Sequence, residues 1–104
     1  MIKVTMANLS TNSVEITIEG HALEAPFGHD IVCAAVSTLF SQLQVSLVKQ
    51  QTNDDGNAAK LQATLLDNGD FRMVNSFEIM IKQLAKQYPK NVSFEAVNAN
   101  GGQG

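Results

Sequence analysis

Side chains in the first twenty residues alternate apolar and polar: Ile2, Val4 and Met6 share one face, and Val14, Ile16 and Ile18 repeat the pattern after a polar turn at residues 8–13. A period of two fits a strand buried on one side and excludes an amphipathic helix, so the chain opens as a β-hairpin. The period then changes. Between residues 30 and 50, Val32, Ala35, Val36, Leu39, Leu43 and Leu47 recur at helical spacing, with Asp30 placed to cap the first turn. A polar turn at 52–57 precedes a third strand at 60–67, where Leu61, Ala63 and Leu65 face one way. Asp67-Asn68-Gly69-Asp70 is a second turn. A helix marked by Val74, Phe77, Ile81, Leu84 and Tyr88 follows and is stopped by Pro89. Residues 92–97 read as a last strand, and the polar tail 98–104 has nothing to bury and reads as disordered.

The order ββαβαβ, without regular βαβ alternation, predicts an α+β two-layer sandwich. Its antiparallel or mixed sheet has about four strands and carries two helices on one face. Lys3, Thr5, Glu15, Thr17 and Glu19 fall on the other face, solvated or turned toward a partner subunit. At 104 residues and 44% apolar content the chain supports one domain, residues 1–97. A net charge of −3, with seven basic residues spread along the chain, argues against nucleic-acid binding. One cysteine cannot close an intramolecular disulfide, and Met1-Ile2-Lys3-Val4 begins directly in a strand pattern without a signal peptide, so a cytoplasmic protein is expected. No apolar stretch is long enough to span a membrane. Gly-x-Gly-x-x-Gly, Walker-type loops and Cys-x-x-Cys pairs are absent, which argues against nucleotide and structural zinc sites.

The one cysteine, Cys33, is the chemically distinctive residue. With Asp30 as the cap, it falls in the first helical turn, where orphan N–H groups and the helix dipole favour a thiolate. The Asp30 carboxylate opposes this. Cys33 lies about 100° off the apolar stripe, on a flank shared with Ser37, Phe40 and Gln44. Strict alternation would turn His21 outward, but Gly20 permits a bulge or a positive φ that redirects it toward the helix start. His29, four residues before Cys33, competes for the same role. His21, His29 and Cys33 could together hold a zinc ion, but their spacing matches no common zinc pattern. The bland alternative is that Cys33 is a small buried hydrophobe.

Gly20-His21-Ala22, a short loop, and Gly28-x-Asp30-Ile31-Val32-Cys33-Ala34-Ala35-Val36-Ser37 resemble the signature of the Prp family, the ribosomal-processing cysteine proteases of certain bacteria. The similarity extends along nearly the whole chain, including a second helix ending in Tyr88-Pro89 before a final strand. It implies a cysteine endopeptidase, without metal or other cofactor, that removes the N-terminal extension of large-subunit ribosomal protein number twenty-seven. It also implies a homodimer. The family's nucleophile falls on Cys33 and its histidine on His21 rather than His29.

The chemistry implied is acyl transfer, with N–H groups at the start of the Cys33 helix as oxyanion donors. Gly20, Asp30 and Ser37 are supporting candidates. Asp30 reads as the cap before it reads as a histidine orienter, and Ser37 can bond in the site or back to the Cys33 carbonyl. The segment 22–28, with a glycine at its end and Gly20 just before it, can serve as a lid. Family substrates end their extension in aromatic residues before a small one, implying an apolar subsite for which Leu23, Phe27 and Phe40 are candidates by position. An edge strand can pair with the peptide. The competing function is a noncatalytic binding module on the ribosome, with Phe27 and Met73 as surface anchors.

Overall fold

The computed structural model describes residues 1–20 and 27–98, the side chains of residues 27–30 excepted. Among the described residues the elements are β1 (Ile2–Ser10), β2 (Ser13–Glu19), α1 (Phe27–Ser46), β3 (Lys49–Asp54), β4 (Ala58–Thr64), α2 (Asn68–Gln87) and β5 (Val92–Asn98). The opening alternation forms the expected hairpin, with Val4 opposite Ile18 and Met6 opposite Ile16. The strands form one sheet in the order β3-β4-β2-β1-β5. It is mixed: β5 runs parallel to β1, and the other pairs are antiparallel.

These pairings make β2 and β3 run the same way, and likewise β4 and β5. Strands in the same direction cannot be joined by a tight turn, so each pair is connected by a helix that travels back along the sheet. One consequence positions the site. The last residues of β2 and β3, the first residues of β1 and the opening turns of α1 all lie at the same end of the sheet.

The inward rows of the strands pack with the two helices in one core. Val4, Ile16, Leu61 and Ile81 are 0% exposed, and Val32, Val36, Leu43, Val74 and Phe77 pack with them in one core. The opposite face is polar, as the alternation predicts. Lys3 and Glu19 are exposed, Thr5, Glu15 and Thr17 are half-buried, and Gln62 Nε2 donates to Glu15 Oε2 at 2.7 Å.

Several expectations are corrected. The sheet has five strands, because residues 49–54, read partly as helix and partly as turn, form β3. Its sequence KQQTND contains no apolar residue. An edge strand needs none, since only Gln50 and Thr52 are half-buried. The acidic turn that follows is a hairpin closure: Asp54 Oδ1 accepts the Gly56 N–H at 2.9 Å, and Asp55 Oδ1 accepts those of Asn57 and Ala58 at 2.9 and 2.8 Å. β4 starts and ends earlier than the 60–67 expected, and β5 takes in Asn98, the first residue assigned to the tail. Residues 99–104 lie outside the described residues. Finally, α1 begins at Phe27, so Asp30 is helical and is not the cap. The apolar stripe starts only at Val32, which drew the expected boundary to the nearest capping residue before it.

Candidate active site

β2 delivers the chain to the site through Gly20. Gly20 has φ +85, a left-handed conformation that glycine adopts without steric cost. A Cβ added there would collide with the Met1 carbonyl oxygen. Both the turn and the close approach of β1 therefore require glycine, and the outward alternation of Thr17 and Glu19 ends at this residue. The expected break at Gly20 is present. His21, Leu23 and the rest of segment 21–26 lie outside the described residues.

Cys33 is the seventh residue of α1, in the second turn rather than the first. The helix dipole acts mainly within the terminal turn, so its pull on a thiolate at Cys33 is weaker than the sequence suggested. Asp30 precedes Cys33 by about 4.5 Å of helical rise. The thiol is half-buried at the margin of the core. It is neither sealed in nor fully solvated.

The helical phase of α1 shows which way the thiol faces. Ile31, Ala34, Thr38 and Leu39 line a shallow apolar groove shared with Met80 and Leu84 of α2, about 410 Å³ in volume. At about 100° per residue these positions lie across the helix from Cys33, so the thiol points away from α2. Gln44, on the Cys33 flank, accepts a 3.4 Å hydrogen bond from Gln50 Nε2 of β3 at its backbone carbonyl. The Cys33 flank therefore overlooks the β3 edge.

The supporting candidates divide. Ser37 is exposed on this same flank. Phe40, expected to line a substrate subsite, is only 7% exposed and belongs to the core. Its ring fills the space between α1 and the sheet instead. Phe27 and Asp30 sit in the opening of α1, with side chains outside the described set. Met73, offered as a surface anchor, is half-buried and packs on the core. The bordering strand β3 was missed because a polar strand carries no periodic signal; the run of β-compatible Gln and Thr residues was the only cue. Among the described residues, no helix is long and apolar enough to cross a membrane.

Comparison with known proteins fits this arrangement. The family described as cysteine protease Prp matches residues 1–93. The ribosomal processing cysteine protease Prp of Mycoplasma pneumoniae is 33% identical over 97 residues, covering 86% of this chain and 94% of that protein. The crystal structure of SMU.848 from Streptococcus mutans superposes with a TM-score of 0.74 at 30% identity, covering 94% of this chain and 95% of the other. Prp from Staphylococcus aureus, in complex with a covalently linked product peptide, has the same fold, with a TM-score of 0.71 at 20% identity over 92% of this chain and 99% of that one. With its five-stranded mixed sheet, two helices and a half-buried cysteine on α1, this chain belongs to the Prp family of ribosomal-processing cysteine proteases.

Proposed function

We propose that the protein is the endopeptidase that removes the N-terminal extension of large-subunit ribosomal protein number twenty-seven, using Cys33 as nucleophile and His21 as its proton partner. The observation that carries this reading is the half-buried Cys33 at the sheet end to which the Gly20 turn brings the chain immediately before His21. The covalently linked product peptide in the Staphylococcus aureus relative is the kind of complex a thiol nucleophile forms.

In the reaction, His21 takes the Cys33 proton and the sulfur attacks the scissile carbonyl. The carbonyl oxygen carries the negative charge of the tetrahedral intermediate, and N–H groups in the opening turn of α1 are the nearest fixed donors to offer it. As the C–N bond breaks, the imidazolium gives its proton to the leaving amine, which departs as the new N-terminus of the mature protein. Water, deprotonated by His21, then hydrolyses the thioester and regenerates the thiol. Ser37 supports the site from one turn along the same flank. The enzyme works as a cytoplasmic homodimer, where ribosomal precursors are made.

Mass spectrometry of a synthetic peptide spanning the extension junction tests the proposal. Cleavage at a single aromatic–small bond, lost in both Cys33→Ala and His21→Ala, is the expected result. An intact peptide after incubation with folded, reduced wild type would overturn it. Iodoacetamide adds a second reading: fast alkylation of Cys33 that slows in His21→Ala marks a paired thiolate, and a slow rate indifferent to His21 marks a packing residue.

A further inference from the structure

The sheet has two edges, β3 and β5, and they are treated differently. β5 lies beneath α2, with Lys82 Nζ 5.8 Å from the centroid of the Phe94 ring. β3 lies on the side that Cys33 overlooks. It contains no proline, and its register against β4 runs unbroken from Lys49 opposite Thr64 to Asp54 opposite Ala59. Its outer edge is a regular row of main-chain groups.

The hairpin fixes which groups those are. The Asp55 N–H donates to the Ala58 carbonyl at 3.1 Å. Bonded and non-bonded pairs alternate along an antiparallel ladder, so Asn53 and Gln51 also turn toward β4, and the N–H and C=O groups of Gln50, Thr52 and Asp54 point out of the sheet. The side chains of Gln50 and Thr52 rise on the helix face, half-buried and joined by a 2.9 Å hydrogen bond from Thr52 Oγ1 to Gln50 Oε1.

The Gln50–Gln44 hydrogen bond also sets the relative height of strand and helix. Going back from Gln44, α1 reaches Cys33 after about 16 Å of rise. Going forward from Gln50, β3 reaches Asp54 after about 13 Å. Both run toward the same end of the sheet, so the thiol stands about one residue beyond the last outward-facing group of β3.

We infer that the outer edge of β3 is the docking strand for the peptide substrate. An extended segment on one side of the scissile bond pairs with Gln50, Thr52 and Asp54, which brings the scissile carbonyl to Cys33. The inference rests on the peptidase reading above. A peptide suits this edge better than a second copy of the chain does: three outward residues hold a short strand firmly, but fall well short of the roughly 800 Å² per partner that a stable dimer buries. Alternate peptide side chains then face the helix layer beside exposed Ser37, and the others face the polar side of the sheet.

Hydrogen exchange on Cys33→Ala, with and without the junction peptide, reads the docking directly. The amides of Gln50, Thr52 and Asp54 are expected to slow by tenfold or more, and those of Gln51 and Asn53, already in the ladder, to change little. In a second experiment wild type cleaves a series of junction peptides, each N-methylated at one backbone position. Cleavage efficiency is expected to fall by roughly fivefold to tenfold at every second residue on one side of the bond, the cost of one lost hydrogen bond. Protection at β5 without protection at β3, or losses that do not alternate, would overturn the inference. So would β3 amides that become protected with rising protein concentration in the absence of peptide, which would show copies pairing there. If wild type leaves the unmethylated peptide intact, it is the peptidase reading itself that falls.

Discussion

α1 and α2 are the same length, twenty residues each, and are held in place by different means. α2 carries its own support. Asp67 caps it by accepting the Asp70 N–H at 3.0 Å, buried Asp70 accepts the Leu66 N–H at 2.8 Å, Lys86 stands in the last turn, and Glu78 pairs with Lys82 at 3.0 Å. α1 has no charged residue from Ile31 to its end and no basic residue in its last turn. Its outward positions include Ile31 at 69% and Val45 at 86% exposure. From Ile31 onward this helix gains nothing from charge pairing, so that part of α1 depends on the sheet beneath it. α2 is held by bonds of its own, and α1, which carries Cys33, rests on the sheet through its apolar stripe.

Substitutions can break this division or sharpen it. The largest effect is expected from Cys33→Ala: roughly 10³-fold or greater loss of peptide cleavage, with a urea midpoint close to wild type because the thiol is only half-buried. A large loss of stability would show instead that Cys33 belongs to the core. Ile81→Ala in α2 is expected to do the reverse, costing about 2–5 kcal/mol in urea unfolding through the cavity it leaves, since Ile81 is 0% exposed. Below the unfolding midpoint its cleavage rate per folded molecule should match wild type. Gly20→Ala bridges the two regions. Its left-handed φ and the Met1 carbonyl oxygen both resist a Cβ, so about 1–3 kcal/mol of stability should be lost, together with cleavage, as the turn into His21 is re-aimed. Asp67→Ala should cost about 1 kcal/mol, read as a lowered Tm, with cleavage retained. Lys82→Ala is the smallest, at most about 0.5 kcal/mol, because its ammonium is largely exposed and the pair is screened by salt.

The parts of the fold legible from sequence are those where one side of an element is buried. The opening hairpin, the stripes of both helices and the turn at Asp67–Asp70 were readable because burial imposes a period on the residues. β3 was not, because an edge strand half covered by α1 imposes none: Gln50 and Thr52 meet the helix as comfortably as apolar residues would. The start of α1 was misplaced for a related reason, since Phe27, Gly28 and His29 precede the stripe and Asp30 has the right chemistry for a cap. In the candidate site, the Gly20–His21 and Cys33 segments were visible as a family pattern, and the left-handed Gly20 was foreseen on steric grounds. The burial of Phe40 is not readable from angle, because residues 33, 37, 40 and 44 share a flank and only the packed structure separates buried Phe40 from half-buried Cys33 and Gln44 and exposed Ser37.

The outward N–H and C=O groups of β3 bear on how this protein can change over time. Every residue except proline carries those groups, so an edge that recognises its ligand through them leaves its side chains free to drift. Lys49, Gln51 and Asn53 point away from the helices and can be exchanged for most residues without altering the row of donors and acceptors. A scan of single side-chain replacements at Lys49, Gln51 and Asn53 would pass over them as neutral ground. Proline substitutions at Gln50, Thr52 or Asp54 would reveal a constraint on the outward edge, one written in the backbone and therefore silent in any comparison of residue identities.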